Sequence, residues 1–228
     1  LPECELCREA DGSVYAIPVR EYWEGLFCNK DLFDRYELEL PTTWEKLETA
    51  ARVFRENGIV PIAVSLSDQP HYVAEFCLLC CGGEEDHGQR PASSEEAPAS
   101  WTEGMALLLQ MEREGFFPED TEVITASEAS QLFLQEKAAM QIDGSWFANS
   151  LPADRMDSTV VLPFPSRQGE GSAIIRGVSM GFYLTRKAWN SPRKDAAVHL
   201  LSHLATGDNA RALGGYGFTG ALRESADA

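Results

Sequence analysis

The sequence predicts an α/β fold with its sheet faces covered by helices, and three observations carry that prediction. Amphipathic stretches that open with Ser or Thr caps alternate with short β-rich runs. One run, IVPIAV at 59–64, is apolar throughout, as a strand covered on both faces must be. Hydrophobic residues make up 44% of the 228 and charged residues 24%, so such a core can be filled.

Taken in order, VYAIPV at 14–19 follows the turn signal Asp11-Gly12 and reads as a strand, and a second short run covers 26–28. Asn29-Lys30-Asp31 then reads as a turn. Thr42 can cap the next helix with Glu45 in the capping-box position. Trp44, Leu47, Ala51 and Phe54 line its inner face, and Asn57-Gly58 ends it before the buried strand at 59–64. The stretch 82–100 has no period, is rich in Glu, Ser, Pro and Ala, and reads as a solvated insertion. Ser100 and Glu103 form a second capping box, ahead of a helix with Met105, Leu108 and Leu109 on one face and Gly115 at its end. Thr125 and Glu128 open a third helix, which carries Leu132 and Phe133. AAMQI at 138–142 is a strand running into the turn signal Asp143-Gly144. VVLPFP and IIRGVSMGFYLT follow as strands, and Ser191-Pro192 caps a helix whose Val198, Leu201 and Leu204 face inward.

With 36 acidic against 19 basic side chains the formal charge is −17, which excludes a nucleic-acid binder, since phosphates need a basic face. No apolar run reaches the roughly 18 residues of a bilayer span. The six cysteines are too dilute for a small disulfide scaffold. Cys4 and Cys7 form one C-x2-C and Cys77, Cys80 and Cys81 a second group, so a thiolate zinc site can be drawn. The packing reading outweighs it, because FCLLCC is an apolar stretch in which free cysteines behave as small hydrophobes.

No nucleophile elbow, zinc-protease helix, phosphate loop or dinucleotide fingerprint occurs. His199 and His203 stand four apart without an accompanying carboxylate, and the acidic pairs Glu84-Glu85 and Glu95-Glu96 fall in the insertion. No catalytic residue, metal or cofactor is therefore assigned. Aromatic residues beside strand ends are the better lead. Tyr22 and Trp23 follow VYAIPV, Tyr72 follows Asp68, Gln69 and His71, and Trp146 follows Asp143-Gly144. In an α/β sheet such ends face the ligand edge, where flat rings take the C–H face of a pyranose and polar groups take its hydroxyls. Each ring, taken alone, could equally finish the core.

DGSVYAIPVREYWEGLFCNKDLF, PTTWEKLETAARVFRENGIVPIAV, KAAMQIDGSWFANSL and GVSMGFYLTRKAW together resemble the family 1 extracellular solute-binding proteins of bacterial ABC importers, the sugar-binding group that includes maltose-binding protein. The match is ordered and covers roughly 11–213. The resemblance implies a type II periplasmic-binding-protein fold, represented mainly by its C-terminal lobe. Residues 14–178 would form that lobe with the first crossover strand and the insertion 82–100. Residues 179–215 would be a return segment of the N-terminal lobe, and 1–13 and 216–228 flexible ends. The implied ligand-binding set is Trp146, Tyr22, Trp23, Asp68, Gln69, His71, Tyr72 and Arg176.

The opening units of the N-terminal lobe, a signal or lipoprotein leader and the last C-terminal helices are not in the sequence, so a fragment is expected. The return segment would then fold back on the lobe or bury its apolar face against a second copy in a homodimer. The implied function is capture of a sugar or oligosaccharide outside the membrane, by a periplasmic or surface-anchored lipoprotein, and delivery to permease subunits. A carbohydrate-active hydrolase using carboxylates at the same edge is the alternative, and a thiol or zinc module a third reading.

Overall fold

The computed structural model describes residues 11–13, 16–168, 172–206, 209, 219 and 220. Cys4 and Cys7, Val14 and Tyr15, and most of both expected flexible ends lie outside the described residues. By its internal contacts the chain divides into two compact units. The first comprises Leu1–Trp23, Gly144–Ser150 and Ile175–Ala228, and the second Glu24–Asp143 and Leu151–Ile174. The range 14–178 is thus shared between them, with 14–23, 144–150 and 175–178 in the first unit.

The elements are β1 (Ile17–Asn29), α1 (Lys30–Arg35), α2 (Trp44–Glu56), β2 (Val60–Ala63), α3 (Pro70–His87), α4 (Ala99–Arg113), α5 (Ala126–Leu134) and β3 (Ala138–Gly144). A 3-10 turn, Ser145–Ser150, leads on to α6 (Ala153–Met156), β4 (Thr159–Leu162), β5 (Phe164–Pro165) and β6 (Ser172–Ala173). The remainder is β7 (Ile175–Phe182), α7 (Arg186–Trp189), α8 (Lys194–Leu204) and β8 (Thr219–Gly220).

The second unit is built on the strand order β2-β3-β1-β4. β2 runs parallel to β3, with Ile62 opposite Met140, and β1 runs antiparallel to β4, with Phe27 opposite Val161. Every residue of β3 is buried, as expected of a strand covered on both faces. α2 presents Trp44, Leu47, Ala51 and Phe54 inward, as its spacing predicts, and Phe33 meets Phe54 edge-on at 5.1 Å. In the first unit, β1 pairs with β7 and, antiparallel, with β8.

Several local expectations are corrected. Ile17 to Val19 of the first run and the whole of the run at 26–28 belong to one strand, β1. Asn29 is not a turn residue; its Oδ1 accepts from Leu32 N at 3.2 Å and caps α1. α2 is capped by Thr43 rather than Thr42, through its hydroxyl and Lys46 N. Asp143 and Gly144 complete β3, and the chain turns only in the 3-10 segment. The helix at 191 begins at Lys194, where no side chain caps it.

The 82–100 stretch is not wholly irregular, because α3 continues to His87 with a break at Gly83, whose φ of 63° suits glycine. Ser100 is not a cap either. It lies within α4, and its hydroxyl donates to Asp86 Oδ2 at 2.5 Å. The inner face of α4 is Gly104, Leu107, Leu108 and Met111, while Met105 and Leu109 are about half exposed. Gly104 sets that face. A Cβ there would stand 3.0 Å from Cys77 O and 2.9 Å from Leu78 Cδ2, so only glycine lets α4 approach α3 this closely. The Thr125–Glu128 capping box on α5 is present as expected.

Candidate ligand-binding site

The expected residues fall into two groups, one in each unit. In the first unit, β1 carries Tyr22 and Trp23, the 3-10 turn carries Trp146, and β7 carries Arg176, which is exposed. The Tyr22 and Trp146 rings are brought together, with centroids 5.7 Å apart and planes inclined at 46°. Both are half-buried, so each ring keeps an accessible portion.

Two glycines, which the sequence reading passed over, position these rings. At Gly144 a Cβ would lie 2.2 Å from the outer edge of the Trp146 indole, and at Gly177 it would lie 2.8 Å from Tyr22 Cε1 and 2.9 Å from its hydroxyl. Neither position has room for a side chain while its ring stays in place. A glycine inside a strand is itself a sign of close approach; Gly177 stands in a segment that reads as a strand, whereas Gly144 reads as part of a turn.

In the second unit, Asp68 and Gln69 lie in the loop after β2, and His71 and Tyr72 belong to the first turn of α3. Asp68 Oδ2 accepts from Ala126 N at 3.0 Å and so ties the loop to the start of α5. The His71 and Tyr72 rings touch, with centroids 4.2 Å apart. Gln69 and Tyr72, with Ser65 and Gln141, line a small cavity of about 10 Å³ at the C-terminal ends of β2 and β3. Larger grooves of about 390 Å³ border α2 and are lined by none of the expected residues.

Residues 5–210 match the family model described as bacterial extracellular solute-binding protein. The chain belongs to that family. It is 24% identical over 216 residues to the melibiose/raffinose/stachyose-binding protein MelE of Bacillus subtilis (strain 168), with 90% of this chain and 50% of that protein covered. The chain therefore spans about half the length of the curated relative it matches. Among solved structures it resembles a chitin oligosaccharide binding protein, with a TM-score of 0.79, 23% identity and coverage of 98% of this chain and 58% of that one. It also resembles a probable secreted solute-binding lipoprotein from Streptomyces coelicolor, with a TM-score of 0.78, 22% identity and coverage of 99% and 59%. The fold of this chain is thereby shown to be of the type II periplasmic-binding-protein class.

Its second unit also holds an acid cluster that the sequence reading did not pick out. Glu24 of β1 is 4% exposed, and its Oε2 has no hydrogen-bond partner. Burial first, then the neighbouring Glu75 and Asp143, push its carboxyl up to about 7. Gln141 Nε2 donates to Asp143 Oδ2 at 2.8 Å and to Ser130 Oγ at 2.9 Å. The thiols of Cys28, Cys77 and Cys80 are buried, and that burial raises them well above the ordinary cysteine range. Among the described residues no group of three or more His, Cys, Asp or Glu side chains could hold a metal ion, and no helix is long and apolar enough to cross a membrane.

Proposed function

We propose that this chain captures a sugar or oligosaccharide outside the cell by reversible binding and serves an ABC importer, to whose permease subunits the full receptor delivers the ligand. The observation that carries this reading is the Tyr22–Trp146 pair, two tilted rings kept partly accessible over Gly177 and Gly144. Such rings take the apolar face of a pyranose, while Arg176 on the neighbouring strand and Trp23 complete the first-unit contacts. Asp68, Gln69, His71 and Tyr72 are the second-unit contacts in this reading. Residues 14–178 are read as the C-terminal lobe and 179–215 as a return segment of the other lobe, with the ligand taken up as two lobes close.

The melibiose, raffinose and stachyose named for the relative MelE choose the probes. Tryptophan emission of this chain, titrated with each, should change saturably, and mass analysis after incubation should recover the sugar intact. No spectral change with any of the three would overturn the sugar reading, and recovery of hydrolysed sugar would replace binding with catalysis.

A further inference from the structure

We propose that Glu24 is a proton-binding residue that couples sugar capture to pH: in its acid form it keeps the ends of β1 and β3 packed in the second unit, and on ionising it loosens them. Glu24 lies on β1 directly after Trp23, and Asp143 lies on β3 directly before Gly144. These are two places where the chain leaves the second unit for the segments that bear Tyr22 and Trp146.

Among the described residues the charged groups facing Glu24 are Glu75 from α3 and Asp143 from β3, and both are acids. The Gln141 amide donates to Asp143 Oδ2, whereas Glu24 Oε2 receives no donor. Glu24 Oε2 is also enclosed, so an ionised Glu24 places charge on a buried oxygen that nothing stabilises. A neutral carboxyl avoids that cost.

The folded-state pKa of Glu24 is raised from 4.5 to about 7, so the folded chain binds more protons than the unfolded one between those values. This contribution to stability is fully present below 4.5 and is lost as pH rises through about 7. The coupling to sugar rests on the sugar-binding reading above; the proton site does not.

The test is urea unfolding of the whole chain at closely spaced pH values from 5 to 8, for the unaltered protein, Glu24→Gln and Glu75→Gln, alongside titration with raffinose, melibiose and stachyose at each pH. The unfolding constant of the unaltered chain should gain roughly tenfold or more over that range relative to Glu24→Gln, whose amide mimics the neutral acid. In Glu75→Gln, which keeps Glu24, the same loss should move to lower pH. Raffinose affinity should weaken with rising pH in the unaltered chain and stay flatter in Glu24→Gln. Equal pH slopes for the unaltered chain and Glu24→Gln, or an unmoved midpoint in Glu75→Gln, would overturn the proton site. Unfolding slopes as expected with raffinose bound equally at every pH would overturn the coupling alone, and no binding of raffinose, melibiose or stachyose at any pH would overturn the sugar reading with it.

Discussion

The indole of Trp146 lies against Gly144 so closely that any Cβ at that position would come within 2.2 Å of its ring. The ring that the sugar reading needs is therefore positioned by a missing side chain two residues earlier. Gly144→Ala should move the ring and cost about 1–3 kcal/mol, the usual range for overpacking a filled site. Near-ultraviolet circular dichroism and tryptophan emission would report the displaced indole, and unchanged spectra would contradict this placement.

Glu136 has a left-handed φ of 59° and pairs with Arg35 at 3.2 Å and with Arg155. Burial alone would raise its carboxyl, but hydrogen bonds from Arg155 and Arg35 outweigh it and hold the group below its usual 4.5. The stability it adds is accordingly present above about 4.5 and lost as pH falls through the lowered value. Glu136→Ala loses the pairs and keeps the strained backbone, whereas Glu136→Gly loses the pairs and relieves it. The glycine variant should be the more stable by about 1 kcal/mol. Urea unfolding of the two variants at pH 7 gives the comparison.

Much of the second unit could be read from the sequence because its signals are local. Thr125 and Glu128 cap α5 in the manner their spacing requires, and Trp44, Leu47, Ala51 and Phe54 share a face because the helical period leaves them no other arrangement. What escaped was set by contacts distant in sequence or by atoms that are absent. The inner face of α4 was misplaced onto Met105 and Leu109, since the pattern could not show that Gly104 would sit against α3. Asn29 read as a turn because a helix cap and a turn use the same side-chain chemistry. Tyr22, Trp23 and Trp146 stood out in the sequence as aromatics at strand ends, but Gly144, Gly177 and Glu24 did not, because close approach and burial are properties of the packed chain.

Phe76 of α3 is fully buried, edge-on to Phe164 at 4.8 Å and beside Trp44 at 6.4 Å. It joins α2, α3 and β5 in one core. Phe76→Ala should therefore lower stability by about 3–5 kcal/mol, while Phe76→Leu, which keeps most of the volume, should cost markedly less. Thermal unfolding followed by circular dichroism orders the two.

Cys28, Cys77 and Cys80 are enclosed, and a thiol raised by burial gives little of the nucleophilic thiolate. At pH 8 in native buffer, mass mapping after iodoacetamide should show these three unmodified, and unfolding in guanidinium should expose all of them. Rapid native labelling of Cys77 or Cys80 would contradict their burial.

The central claim concerns the Tyr22 and Trp146 rings, and isothermal titration of raffinose into the unaltered chain and into Trp146→Ala addresses it most directly. Loss of a stacking contact of about 1–1.5 kcal/mol corresponds to roughly tenfold in affinity. The account predicts single-site binding by the unaltered chain, weakened by about that factor or more in Trp146→Ala while the fold is retained by circular dichroism. Equal affinity of the two proteins would contradict it.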